Sequence, residues 1–350
     1  MPVARPVCSL CPAFSAFVAV LIGAPGCQSS APSHPGGFAL AGSAGAPALT
    51  TAGTAGSAGA LLTDAGAGAP ALIDAGDSAG KAGGSVDAGP DAAPLSDAAP
   101  PVEPGWTFVW SDEFTGPDVD TSIWTIVDTP GTSANKELQY YTNRKNQEPG
   151  ANVFIADDAL VIEAREEAMN GYAYTSARLN TLKSAAQFTY GRMEARAKLP
   201  NVTGMWPAFW MLGINSASVG WPIGGEIDIM EGKGRLPNWV SGALHRSLTR
   251  GANGDIVSVQ SYQLATGNFH DDWHVFAVEW DNQQIRWYVD DALFQTVMRP
   301  TSTGQPWPFD QPFYFLLNLA VGGVFDTEVA PPPGMAPQRL YVDYVRVFRK

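Results

Sequence analysis

Residues 224–232 read Gly-Gly-Glu-Ile-Asp-Ile-Met-Glu-Gly and set three carboxylates, Glu226, Asp228 and Glu231, in an otherwise apolar run. Such a run favours a strand, and along a strand successive side chains point to opposite faces. Glu226 and Asp228 then share one face, while Ile227 and Ile229 point the other way. Strict alternation would put Met230 among the acids and send Glu231 into the core, where an unpaired carboxylate is costly. One extra residue, a β-bulge at about Met230, brings Glu231 back beside Glu226 and Asp228. Bulges often re-aim a side chain in this way next to an active site. Three acids on one sheet face repel one another and shift each other's pKa, so folding alone gives no reason to build the row.

Working outward, the chain beyond residue 105 alternates in several runs. Arg192 to Leu199 puts every charge on one face. Leu160–Ala164, Val275–Trp280, Ile285–Val289, Phe294–Met298 and Phe313–Leu319 are further strand candidates, with turn signals at Asp281-Asn282 and Asp290-Asp291. No convincing amphipathic helix stands among them. Many short strands separated by turn signals predict an all-β fold, a β-sandwich. Trp273, Trp280 and Trp287 are read as lying in alternating strands and as core.

Two carboxyls about 5 Å apart are the requirement for retaining glycoside hydrolysis: one attacks the anomeric carbon, the other protonates the leaving oxygen. The bland alternative is an exposed edge strand with solvated acids. The surroundings of the acids decide between them. Trp221-Pro-Ile-Gly-Gly-Glu-Ile-Asp-Ile-Met-Glu231, Tyr190-Gly-Arg-Met-Glu-Ala-Arg-Ala-Lys-Leu-Pro200, Trp206-Pro-Ala-Phe-Trp-Met-Leu212, Leu244-His245, Asn318-Leu-Ala-Val-Gly-Gly323 and Val342-Asp-Tyr-Val-Arg-Val347 together resemble glycoside hydrolase family 16, within it the laminarinase-like endo-β-1,3-glucanases. The match runs from about Trp110 to the end. It implies a jelly roll with one concave sheet forming a substrate cleft, preceded here by a tether.

The resemblance also implies roles. Glu226 resembles the family nucleophile and Glu231 the general acid/base, with Asp228 between them tuning their protonation. It places His245 near the acids and makes Trp210, Trp206 and Trp221 candidates for platforms on which the apolar faces of sugar rings stack. Asn135 and Glu137 resemble a cleft-rim segment; Arg178 and Asn180 are similar candidates, with a structural ion pair the alternative for Arg178. Many family members carry a structural calcium ion, and Glu113 and Asp343 match the positions involved, although Asp157-Asp158 stands where the family often has Gly. No cofactor is expected for the chemistry itself.

Composition divides the rest. Residues 28–104 are mostly Ala, Gly, Ser, Pro and Asp, with no aromatic between Phe38 and the end of the segment, while all 11 Trp lie beyond it. Such a segment buries too little apolar surface to offset its ordering entropy, and a disordered linker is expected. Residues 1–27 predict an export signal: Arg5, an apolar stretch from Ala13 to Gly23 too short to span a bilayer, then Ala-Pro-Gly-Cys27, which resembles the site of a lipid-modified cysteine. Cys8 and Cys11 mimic a redox pair inside this segment, and residues 105–350 carry no cysteine. The domains expected are thus 1–27 signal, 28–104 linker and 105–350 catalytic. A net charge of −13 argues against nucleic acid and anionic membrane surfaces and fits a neutral polysaccharide partner. A monomer is expected, attached to a membrane only through a lipid on Cys27. Other readings of the same residues are a hydrolase of mixed-linkage β-glucan or a marine galactan, a transglycosylase, and a non-catalytic glucan-binding protein.

Overall fold

In the computed structural model, which describes residues 104–250 and 255–350, the alternating runs become the strands of two sheets. The first orders β14 (Asp255–Gln263), β13 (Trp239–Arg246), β12 (Glu226–Gly232), β11 (Met205–Gly213), β18 (Phe313–Val321), β8 (Arg178–Asn180) and β2 (Thr125–Ile126), with β9 (Gln187–Phe188) paired to β18. The second orders β17 (Ala292–Met298), β16 (Gln284–Val289), β15 (His274–Trp280), β10 (Gly191–Lys198), β19 (Gln338–Arg349), β6 (Ala159–Met169), β7 (Tyr172–Ser176), β4 (Gln139–Tyr141) and β3 (Thr129–Pro130). There β1 (Thr107–Asp112) pairs with β19 and β5 (Val153–Ala156) with β6. Pairing is antiparallel except between β4 and β7. The one α-helix among the described residues is Ser216–Val219, and no helix there is long and apolar enough to cross a membrane. The expected signal, Cys27, and all of the expected linker but Pro104 lie outside the described residues.

The turns follow their residues. Asp290 and Asp291 take φ of 46° and 65° between β16 and β17, the two left-handed positions that a two-residue hairpin requires. Asp281 closes the β15–β16 connection by accepting the amides of Gln283 and Gln284 on its Oδ1.

Period-2 alternation fills the space between the sheets. Met193, Ala195, Phe276, Val278, Ile285 and Trp287 from the second sheet meet Phe209, Met211, Ile227, Leu244, Phe315 and Leu317 from the first in one buried cluster. Trp280 and Trp287 are core, as their alternation predicts, at 2% and 0% exposure. Trp273 is not. It precedes β15, stays partly exposed, and takes the cations of Arg196 and Lys198 over its ring, each 5.2 Å from the centroid. The alternating register that buries its neighbours begins one residue later, at His274.

The bulge lies where the acids demand it. On β13, Ala243 faces Asp228 and Ser241 faces Glu231, so two residues of β12, Ile229 and Met230, stand opposite the single Gly242. Ile227, Ile229 and Met230 are all buried. The disrupted ladder leaves the carbonyl of Asp228 in need of a donor, and Trp287 from the opposite sheet supplies one, its Nε1 donating at 2.8 Å. Gly242 makes the approach feasible: a Cβ there would stand 2.4 Å from Cδ1 of Trp287.

Candidate active site

β12 and its neighbours bring together most of the side chains that the sequence singles out. β11 alternates so that Trp206, Ala208, Trp210 and Leu212 share a face, and across the strand pair Ala208 sits opposite Glu231, Trp210 opposite Asp228 and Leu212 opposite Glu226. On the other flank His245 pairs with Glu226. Its Nε2 stands 3.0 Å from Oδ2 of Asp228 and 3.8 Å from Oε1 of Glu226. The outer two acids each receive an indole N–H. Trp221 Nε1 donates to Glu226 Oε2 at 3.0 Å, and Trp206 Nε1 donates to Glu231 Oε1 at 3.1 Å.

Burial and mutual repulsion set the protonation of the row. Glu226 is raised to about 8, first by desolvation and then by the charge of Asp228; His245 and the Trp221 N–H pull the other way. Glu231 is likewise raised to about 8 by desolvation and by Asp228, against His245, the Trp206 N–H and Lys233. Asp228, 4% exposed, is raised to about 8 by desolvation. Three neighbouring negative charges are therefore not held here at neutral pH, and protons reside in the row.

Beside the acids lies a polar floor. Trp210 Nε1 donates to Oδ1 of Asn318 at 2.8 Å, and Asn318 pairs with Arg178 between β18 and β8. The Arg178 guanidinium donates to the Tyr141 hydroxyl at 3.1 Å, lies 3.6 Å from Glu137, and sits 4.5 Å and 5.6 Å from the ring centroids of Tyr141 and Trp210. Asn135 donates to Glu137 at 3.1 Å, joining the same network. Arg178 is thus both an ion-pair member and a neighbour of the acid row. Asn180 shares its strand and accepts the Leu182 amide in a turn. At the Glu231 end Trp206 stacks on Phe325 at 4.9 Å, and Lys233 lies over the rings of Trp239 and Phe325.

Asn318, Tyr141 and Phe325 receive no site role from the sequence, although Asn318 opens one of the stretches that carry the family resemblance. Asn318 had a signal, the one amide in the nine-residue apolar strand Phe313–Val321. Tyr141 had a weaker one, ending the run Asn135-Lys-Glu-Leu-Gln-Tyr-Tyr141 that holds the rim candidates Asn135 and Glu137. Phe325 sits in a 3-10 turn, where periodicity says nothing.

Glu113 and Asp343 lie elsewhere, one residue past the end of β1 and within β19. Arg346 holds both carboxylate oxygens of Glu113, at 2.9 and 2.7 Å, and Arg196 takes Oδ2 of Asp343 at 2.7 Å. Among the described residues neither belongs to a group of three or more potential ligands. Two carboxylates neutralised by guanidinium groups do not fit a side-chain calcium cage, so any ion there would depend on backbone carbonyls. The single such group among the described residues is Glu226, Asp228 and His245.

A β-sandwich presenting two indole-braced glutamates around a third acid has the equipment of a glycoside hydrolase, and comparison with known proteins gives the same class. The model of the glycosyl hydrolases family 16 matches residues 139–346, and the chain belongs to that family. A beta-glucanase of Rhodothermus marinus is 41% identical over 255 residues, covering 70% of this chain and 86% of that protein. The laminarinase catalytic domain of Thermotoga maritima superposes with a TM-score of 0.63 at 39% identity, covering 70% of this chain and 98% of that one. An endo-beta-1,3-glucanase of Pyrococcus furiosus gives 0.62 at 39% identity, over 70% and 94%. The fold is the jelly-roll sandwich of these relatives.

Proposed function

We propose that this protein is an exported endo-β-1,3-glucanase that hydrolyses its glucan with retention of configuration. The observation that carries the reading is the bulged strand β12, which sets Glu226, Asp228 and Glu231 on one face with an indole N–H on each outer acid. Glu226 as carboxylate attacks the anomeric carbon while Glu231 gives its proton to the leaving glycosidic oxygen, and a glycosyl ester of Glu226 forms. Water then attacks the same carbon, Glu231 takes its proton, and Glu226 leaves as carboxylate. Glu231 needs a proton at the start, and its raised pKa supplies one near neutral pH. Glu226 needs to be charged, and Asp228 keeping its own proton relieves the repulsion that otherwise opposes this. Trp210, Trp206 and Trp221 border the sugar, and the Arg178–Glu137–Asn135 network lines its path. A neutral polysaccharide suits the chain's acidity, and one chain holds the whole set of acids, as a monomer requires.

The test is a reducing-sugar assay on laminarin, curdlan, lichenan, agarose and carrageenan, with the anomer released first from laminarin read by NMR. Laminarin should be cleaved fastest, giving the β-anomer. Preference for lichenan or a galactan would move the substrate; an α-anomer would reject retention; binding without cleavage would reject hydrolysis. For export, supported by the N-terminal sequence alone, Cys27→Ser should shift the protein from the membrane to the soluble fraction; an unchanged distribution would leave ordinary secretion.

A further inference from the structure

The pair Asp228 and His245 holds unused binding capacity. Asp228 is 4% exposed, yet its Oδ2 has no hydrogen-bond partner; His245 Nε2 stands 3.0 Å away without the alignment of a hydrogen bond. Oε1 of Glu226 lies 3.8 Å from the same nitrogen, and one ligand atom from each of the three residues falls within 4.8 Å of the other two. A zinc-class ion bonds imidazole nitrogen and carboxylate oxygen at roughly 2.0–2.2 Å in tetrahedral array, which sets its ligand atoms roughly 3.3–3.5 Å apart. The two His245 contacts are within well under an ångström of that spacing, and the two carboxylate oxygens, no more than 4.8 Å apart, reach it by side-chain rotation. One imidazole and two carboxylates suit Zn²⁺ and Cu²⁺; Mg²⁺ and Ca²⁺ prefer all-oxygen shells of higher coordination.

We propose that Glu226, Asp228 and His245 form a binding site for a divalent transition-metal ion that shuts the enzyme off reversibly. The ion neutralises the row of acids without requiring their protons, and it occupies the oxygen with which Glu226 would attack. It is an inhibitor, and the hydrolysis proposed above proceeds without it. His245 Nδ1 is buried without a hydrogen-bond partner, so the imidazole lacks the outer support that strengthens metal ligands. Binding is accordingly reversible by a chelator. The consequence for activity rests on the functional reading above, whereas the binding itself does not.

The experiment uses the full chain with Cys8→Ser, Cys11→Ser and Cys27→Ser, which removes competing thiolates. Calorimetry with ZnCl₂ should find a site whose affinity falls about tenfold or more in His245→Ala and in Asp228→Asn, a loss at least as large as that for outer-shell partners. His274→Ala, at a separate His–Asp pair, should leave it unchanged. Cu²⁺ bound at one equivalent should show nitrogen coupling by EPR that His245→Ala abolishes. Zn²⁺ should inhibit laminarin hydrolysis competitively, with recovery on EDTA, and MgCl₂ should not. Unchanged zinc affinity in both His245→Ala and Asp228→Asn would overturn the proposal. So would binding that leaves hydrolysis of laminarin untouched. If laminarin proves not to be a substrate, calorimetry and EPR still decide the site, and only the functional reading falls.

Discussion

Trp206 and Trp221 show what a single indole nitrogen does. Each hydrogen bond favours the charged form of its glutamate and so lowers that pKa, against the larger upward push of burial. Trp206→Phe removes the N–H from Glu231. The acid's pKa then rises, Glu231 stays protonated to higher pH, and the alkaline limb of kcat/KM should move up. Trp221→Phe raises the pKa of Glu226 instead. The nucleophile then ionises later, and the acid limb should move up. Each displacement should be about one to two units, as expected from loss of one hydrogen bond to a charged group. Limbs that stay put, or that move for the wrong variant, would break the assignment of roles. At this scale the sequence is informative about identity and less so about contacts. It makes the tryptophans sugar platforms from their type, whereas their bonds to the acids depend on neighbouring strands that spacing along one chain does not reveal. Arg178 is ambiguous in sequence for a related reason: an ion pair with Glu137 and a place beside the acids are compatible.

The bulge in β12 belongs to the scale of the element, and it was readable because a buried carboxylate would have been too costly without it. What holds the bulge in shape was not readable. Trp287 lies 59 residues from Asp228 in sequence and binds its carbonyl from the other sheet, while Gly242 opens the space for the ring. Gly242→Ala puts a methyl against that ring and pushes it off the carbonyl. The fold should survive at a cost of about 1–3 kcal/mol from overpacking, seen as a lower Tm. Activity should fall on the order of 10²-fold, because Glu231 moves with the bulge. Adding Trp287→Phe relieves the crowding and still leaves the carbonyl without its donor. The double variant should therefore regain part of the Tm and little of the activity. Full recovery of both would show that Trp287 only fills space.

At the largest scale, the described sandwich is closed by its first and last strands. β1 runs antiparallel to β19, which lies between β10 and β6 in the second sheet. Trp110 of β1 packs on Phe315 at 6.0 Å and Phe188 at 5.7 Å, Asp112 accepts the indole N–H of Trp124 at 2.8 Å, and Lys350 lies over Trp106 at 4.6 Å. The all-β class was legible because alternation is a local property of each run. Strand order was not, since pairing β1 with β19 joins residues more than 200 positions apart, and no period in the sequence encodes that. The boundary at about residue 105, drawn from composition, can be tested against this closure. Removing 28–101 keeps Trp106 and all of β1, so Tm should stay within a few degrees and laminarin hydrolysis within a few-fold of the full chain. Extending the deletion through Asp112 uncovers Phe315 and Phe188 and leaves the Trp124 N–H without its acceptor. That should remove several kcal/mol, a large fraction of the margin of a typical domain. Thermal melts of the two truncations side by side decide the point. A shorter deletion that already lowers Tm sharply would mean that residues before 102 pack on the sandwich, and the linker reading would fall with it.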